Sequence, residues 1–387
     1  MLVGTTDRKQ TIIMRVLIIG ANGFVAGKLR KQLVRDGKIG NEPIDELILA
    51  DVAKPPLLER EEEAVSSSSL ASFAITTLAV DITDPNQVPA LLQGGQKKCL
   101  PDIVFHLAAI VSGDAEQNFE LGYEVNVDGT KHIVDAIRRK LKEQQQEGEG
   151  GGGGDTKPPR FVFTSSLAVF GPPMPETIGD DFHLTPRSSY GTQKAIVELM
   201  LEDYTRKGFL DAVAVRFPTI AVRPGKPNKA ASSFFSSIIR EPLNGVEATL
   251  PVGLDVRHAI ASPRKAVEYL LKAATLEQSA LQQRPGNRTF NVPSVSITVG
   301  EMIEALGRVT ATHVGDRNNV VALIKHQPDP FIQRIVESWP KAFDCRKAMS
   351  LGFEPDASFE DIIRIYIEDE LNNKSPQNKK QKTSEEA

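Results

Sequence analysis

Short apolar, β-branched runs recur along the first 220 residues, and most end in a turn-forming, acidic or small polar residue. They are RVLIIG (15–20), DELILAD (45–51), FAITTLAVDITD (73–84), PDIVFHLAA (101–109), PRFVFTSS (159–166) and AVAVRFP (212–218). A continuous apolar run of this length reads as a strand buried on both faces. Between most of them the apolar residues switch to helical spacing. The first such stretch, GFVAGKLRKQLVRDG (23–37), closes on a glycine stop. Strand–helix alternation of this kind predicts an α/β fold with a parallel, doubly wound sheet over residues 14–221.

After Pro218 the alternation weakens. NKAASSFFSSIIREPLNG (228–245) reads as helix and loop, SPRKAVEYLLKAATL (262–276) as a helix, and TFNVPSVSITVGEMIEALGRV (289–309) as strand, turn and helix. Residues 222–371 are therefore expected to form a smaller C-terminal substrate-binding lobe, with some elements returning to the sheet. Two segments interrupt the main pattern. One, 54–72, is charged and Ser-rich, and the other, 142–159, is low-complexity. Neither has enough apolar surface to offset the entropy of ordering, so both are expected to be flexible insertions. Residues 1–13 read as a flexible extension and 372–387 as a disordered tail.

Composition narrows the function classes. The formal net charge is −4, which gives no footprint for nucleic acid or an anionic membrane surface. No apolar run approaches the roughly 20 residues of a membrane span. The two cysteines, Cys99 and Cys345, make neither a disulfide framework nor a zinc spacing, which suits a reducing compartment. The six histidines form no ligand pattern, so no metal is expected. The expected location is the cytoplasm.

The candidate chemistry gathers at the strand ends. GANGFVAG puts Gly20, Gly23 and Gly27 between the first strand and the first helix. Glycines there let backbone N–H groups approach a pyrophosphate, the arrangement of a Rossmann fold. Asp51 closes the second strand, where a carboxylate accepts from the adenosine ribose hydroxyls and repels a 2′-phosphate. That favours NAD over NADP. Asp81 and Ile82 end the third strand, and Leu107, Ala108 and Ala109 end the fourth, leaving room for a cofactor. Ser165 and Ser166 end the fifth. Tyr190 and Lys194 stand at i, i+4 in SSYGTQKAIVELM. A free tyrosine, with pKa about 10, is a poor base at neutral pH. A nearby ammonium favours the phenolate, so Tyr190 can take a hydroxyl proton while Ser166 orients the substrate and hydride leaves for a nicotinamide.

GANGFVAG, HLAA, NVDGT, FTSSLAVFG and YGTQK together resemble the extended short-chain dehydrogenase/reductase family, also called the NAD-dependent epimerase/dehydratase family. The resemblance implies catalysis by Ser166, Tyr190 and Lys194, with Asn126 of NVDGT supporting a proton-relay water. It implies NAD contacts at Gly20, Asn22, Gly23, Phe24, Val25, Asp51, Asp81, Ile82 and Pro218. One departure is Ala26, which stands where the family usually has a glycine. RFPTIAVRPGKPNKAASSFFSSIIREPLNG (216–245), PVGLDVRHAIASP (251–263) and PDPFIQRIVESWP (328–340) are similar to members that oxidise the C2 hydroxyl of a four-carbon sugar acid.

A sugar acid carries a carboxylate, for which arginine is the natural bidentate partner. Arg223, Arg257 and Arg334 fall in these segments, with Lys226 and Lys229 nearby, and at least one is expected to reach the substrate. The best candidates are Arg223 and Arg257. The family also implies a homodimer, here through helices at 115–139 and 190–208. The alternative is a sugar-nucleotide epimerase or dehydratase with tightly bound, recycled NAD. A non-catalytic NAD sensor fits less well, because Ser166, Tyr190 and Lys194 are all present.

Overall fold

The run MRVLII forms β1 (Met14–Ile19), whose residues Val16 to Ile19 are sealed from solvent. A computed structural model of the chain describes residues 14–58, 61, 73–93, 100–148, 157–225, 231–282, 288–313 and 320–372. The other apolar runs become β3 (Glu42–Asp51), β4 (Ala74–Ala79), β5 (Ile103–His106), β6 (Arg160–Ser166) and β7 (Asp211–Phe217), with the short β2 (Lys38–Ile39) between β1 and β3. A further strand from the C-terminal half, β11 (Thr289–Asn291), joins the edge. The parallel order is β4-β3-β1-β5-β6-β7-β11, with β2 antiparallel to β3. Chain order reverses between β3 and β5 across β1, which places the binding crevice of such a sheet at the carboxyl ends of these strands.

Helices cover both faces, as a sheet of doubly buried strands requires. On one face lie α1 (Phe24–Asp36) and Pro263–Thr275, burying Leu29, Leu33, Leu270 and Ala273 against Val16, Ile18, Leu47 and Val213. On the other lie α2 (Thr130–Gly148) and α3 (Ser189–Arg206), burying Ile133, Ile137, Val197 and Leu201 against Leu17, Ile19 and Phe161. Each such aliphatic side chain contributes roughly 1.5–3 kcal/mol on leaving water. A separate core holds the C-terminal lobe, where Phe235, Ile238, Met302, Leu306, Ile362 and Ile363 meet. It carries a three-stranded sheet of β8 (Thr219–Ile220), β10 (Arg257–Ala261) and β12 (Val295–Thr298), with β8 parallel and β12 antiparallel to β10.

Two details bear on the insertions. Glu61, inside 54–72, is buried and pairs with buried Arg30 of α1, with Arg30 Nε donating to Glu61 at 2.9 Å. Helix α2 runs through Gly148, so the first part of 142–159 is helical. Residues 149–156, like 1–13 and 373–387, lie outside the described residues. No helix among the described residues is long and apolar enough to cross a membrane.

Candidate active site

The loop after β1 is shaped by what glycine lacks. Gly20 has φ of 86°, and a Cβ there would lie 2.4 Å from the Ala108 backbone nitrogen. Only glycine lets the ends of β1 and β5 come this close. Gly23 is the N-cap of α1, with no side-chain cap and no acid in the first turn. The first N–H groups of α1, from Phe24 and Val25 onward, are thus left for an anion, with the helix dipole favouring negative charge. These residues fit a dinucleotide pyrophosphate. Ala26 points into the core and is 1% exposed, whereas Gly27 faces open space. Alanine in place of the usual glycine therefore fills the helix–sheet contact and leaves the loop unaltered.

The strand ends line the same crevice. Asp51 accepts from Asn22 N at 2.9 Å and from Val52 N at 2.8 Å, so one carboxylate ties the end of β3 to the glycine loop. Asp81 accepts from Thr83 N and Oγ1 at 2.9 and 2.8 Å. Ile82 is buried, and a Cβ on Gly129 would strike its side chain at 2.8 Å. Leu107 N donates to Ile19 O at 2.8 Å, carrying the line of β5 on into Ala108 and Ala109. Pro218 is buried at the end of β7.

The fifth strand and α3 bring the reactive groups together. Ser166 ends β6 and caps the 3₁₀ turn Leu167–Val169, accepting from Ala168 N at 3.2 Å. Ser188 caps α3 in turn. A Cβ on Gly191 would stand 2.0 Å from Ala168 O, so the glycine after Tyr190 allows α3 to start directly on the Ser166 turn. The Ser166 hydroxyl and the Tyr190 phenol are hydrogen-bonded. Lys194 is buried, and its Nζ donates to Thr164 O at 2.8 Å. That Nζ sits 4.5 Å from the Phe163 ring centroid and 5.5 Å from that of Tyr190.

Burial moves the two groups in opposite directions. It pushes the Tyr190 phenol up to about 12, opposed by the Arg223 charge and the Ser166 bond. It pulls the Lys194 ammonium down to about 7, opposed by the charge of Glu198. Lys194 and Arg223 are the positive groups available to favour a Tyr190 phenolate.

The arginines separate. Arg223 is held by Nε donating to Ile220 O at 2.8 Å, and it interacts electrostatically with Tyr190. Arg257 starts β10 and is turned to Ser296 O at 3.1 Å and to Glu301 at 3.4 Å, in a half-exposed ion pair. Arg334 is exposed on the helix Pro330–Glu337. Lys226 and Lys229 lie outside the described residues. Of these arginines, Arg223 is the one whose charge acts on the Tyr190 phenol.

Sequence reasoning missed the polar supports behind this set. Glu198 accepts from Arg216 Nη2 at 2.8 Å and from the Ser165 hydroxyl, all three buried, tying α3 to the ends of β6 and β7. Their signal was faint: Glu198 continues the Tyr190, Lys194 stripe at i+4, which any helix repeats by chance. Asn126 lies in a π turn, Glu124–Gly129, and is 3% exposed. Its carbonyl accepts from Thr130 Oγ1 at 2.8 Å. The single Thr130 proton is then spent, so His106 Nε2, 2.8 Å away, is the donor to that hydroxyl.

Comparison with known proteins gives the chain's relatives. The model of the NAD dependent epimerase/dehydratase family matches residues 16–291. A D-erythronate dehydrogenase of Cupriavidus necator is 41% identical over 360 residues, 92% of this chain and 98% of that protein. A D-erythronate dehydrogenase of Haemophilus influenzae is 39% identical over 355 residues, 92% of this chain and 99% of that one. Among solved structures, one described as a nucleoside-diphosphate-sugar epimerase from Agrobacterium tumefaciens is 44% identical. It superposes with a TM-score of 0.80, covering 95% of this chain and 98% of its own.

Proposed function

Because the chain belongs to the NAD dependent epimerase/dehydratase family, we propose that it is an NAD-dependent dehydrogenase acting on a small sugar acid. The proposed reaction converts D-erythronate to 2-dehydro-D-erythronate at C2. The observation that carries this reading is the meeting of Ser166, Tyr190, Lys194 and Arg223 at the carboxyl edge of the sheet. The two D-erythronate dehydrogenase relatives supply the substrate.

Each residue has a distinct task. NAD, when bound, supplies the hydride acceptor. Gly20, Gly23 and the open N-terminus of α1 hold its pyrophosphate, and Asp51 takes the ribose hydroxyls and disfavours a 2′-phosphate. Arg223 pairs with the substrate carboxylate, which sets C2 near Tyr190. Ser166 hydrogen-bonds the C2 hydroxyl. Tyr190 removes the hydroxyl proton, and the C2 hydrogen departs as hydride, leaving a 2-keto acid. Lys194 holds the phenolate charge during that step.

The second reading, a sugar-nucleotide epimerase or dehydratase with recycled NAD, is favoured by the description of the Agrobacterium tumefaciens structure. One assay separates the two. Purified protein with NAD and D-erythronate, or with D- or L-threonate as controls, is expected to accumulate NADH, and to do so more slowly with NADP. Conversion of a nucleotide-sugar without net NADH, together with silence on the acids, overturns the dehydrogenase reading.

A homodimer suits the surface as well. Phe119 and Leu121 on one short helix and Ile196 and Leu199 on α3 are exposed, the last at 67%. Paired copies of this strip would cover it. Leu199→Asp is expected to convert the dimer to monomer in sedimentation; a wild-type monomer contradicts the assembly.

A further inference from the structure

We propose that Gln193 is a positioning residue that fixes the cofactor-side loop to the catalytic helix through Asn126. Gln193 lies between Tyr190 and Lys194 on α3 and is fully buried. Its Oε1 accepts from Asn126 Nδ2 at 2.7 Å. The other Asn126 Nδ2 proton goes to Ile110 O at 3.0 Å, and Asn126 Oδ1 accepts from Ile110 N at 2.9 Å. One amide thus grips both backbone groups of Ile110, the residue directly after Leu107, Ala108 and Ala109.

An asparagine amide has two protons to give. Both are spent here, on Ile110 and on Gln193. The side-chain amide of Asn126 therefore braces the loop through both protons and its Oδ1, while Thr130 Oγ1 donates to the Asn126 backbone carbonyl. Gln193 takes the Nδ2 proton that Ile110 leaves and adds a third tie to that amide. With an apolar residue at 193, one Asn126 proton would be left unpaired in the core, and the grip on Ile110 would loosen.

Two further observations show that the position is shaped for an amide. A Cβ on Gly122 would lie 2.6 Å from Gln193 Nε2, so the glycine opens the space that the amide fills. Among the described residues, Gln193 Nε2 has no hydrogen-bond partner. Keeping an unpartnered donor in the core is costly. The satisfied atom of the glutamine is the one facing Asn126. A π turn presents Asn126, and such turns are frequent at functional sites.

The inference rests on NAD lying along the strand ends, and its test separates the two. If wild-type protein fails to bind NAD in equilibrium dialysis, the cofactor reading falls. If wild type binds, Gln193→Met removes the accepting oxygen and the orphan donor while keeping length. Its NAD dissociation constant is expected to rise about tenfold, the factor for one lost loop-supporting hydrogen bond. Turnover at saturating NAD is expected to drop, while KM for the sugar acid and the melting temperature stay near wild type. Adding Asn126→Ala should cost no more than Asn126→Ala alone, because the two act as one unit. Gln193→Glu keeps an oxygen toward Asn126 and is expected to bind NAD nearer to wild type than Gln193→Met. NAD affinity unchanged in Gln193→Met, additive penalties, or the reverse order of the Glu and Met variants overturns the proposal.

Discussion

The carboxyl edge of the parallel sheet and the neighbouring three-stranded sheet treat charge in opposite ways. At the edge, Lys194 is buried and donates to Thr164 O, and the charge of Arg223, three residues past β8, acts on the Tyr190 phenol. On the small sheet, Arg257 is 39% exposed and already holds Glu301. A half-exposed ion pair of that kind is worth little and expects no visitor. A charge kept out of water beside a phenol is costly to hold, and such groups cluster at functional sites. The contrast supports the proposed role of Arg223 over Arg257 as the substrate's partner.

Substitutions can break or sharpen this contrast. The largest effect is expected from Tyr190→Phe. Turnover should fall by roughly 10²–10⁴, the usual worth of a positioned acid–base group, with NAD binding intact in dialysis. Residual turnover near wild type would remove Tyr190 from the chemistry. Next is Arg223→Met, which should cut kcat/KM for the acid by about 10- to 100-fold, as expected for a charged hydrogen bond. Arg257→Met should leave kcat/KM almost unchanged. If the two arginine variants behave alike, the distinction between the regions fails.

A further effect is on stability. Burial sets the folded Lys194 value at about 7, against 10.5 for the free group. Between those values the unfolded chain holds more proton than the folded one, so this group makes the apoprotein more stable as pH rises through that window. Denaturant titrations of Lys194→Met should lack that rise relative to wild type. A parallel pH dependence in both would mean that Lys194 is not desolvated.

Legibility followed the same division. The apolar runs became the parallel strands because a doubly covered sheet needs strands without polar faces. The places of the glycine loop after β1, of Asp51 at the end of β3 and of Tyr190 and Lys194 on α3 were readable because local spacing sets them. Glu61 was not, since a carboxylate in a Ser-rich charged segment gives no sign that Arg30, 31 positions earlier, will bury it. The helical first part of 142–159 was missed because low complexity masked the continuation of α2 to Gly148. Gln193 was passed over for a similar reason. Its partner Asn126 is 67 residues away, and only the packing of α3 against the π turn joins them. The choice between Arg223 and Arg257 likewise depends on the fold, since Arg257 opens β10 while Arg223 lies in the segment after β8.

The most direct test of the account uses D-erythronate carrying deuterium at C2, mixed with the protein and NAD, with both products analysed by mass spectrometry. The account expects one deuterium in the NADH formed and a 2-keto acid that has lost it. Deuterium retained in the acid, or a reaction that returns the label with no net reduced cofactor, would contradict hydride transfer from C2.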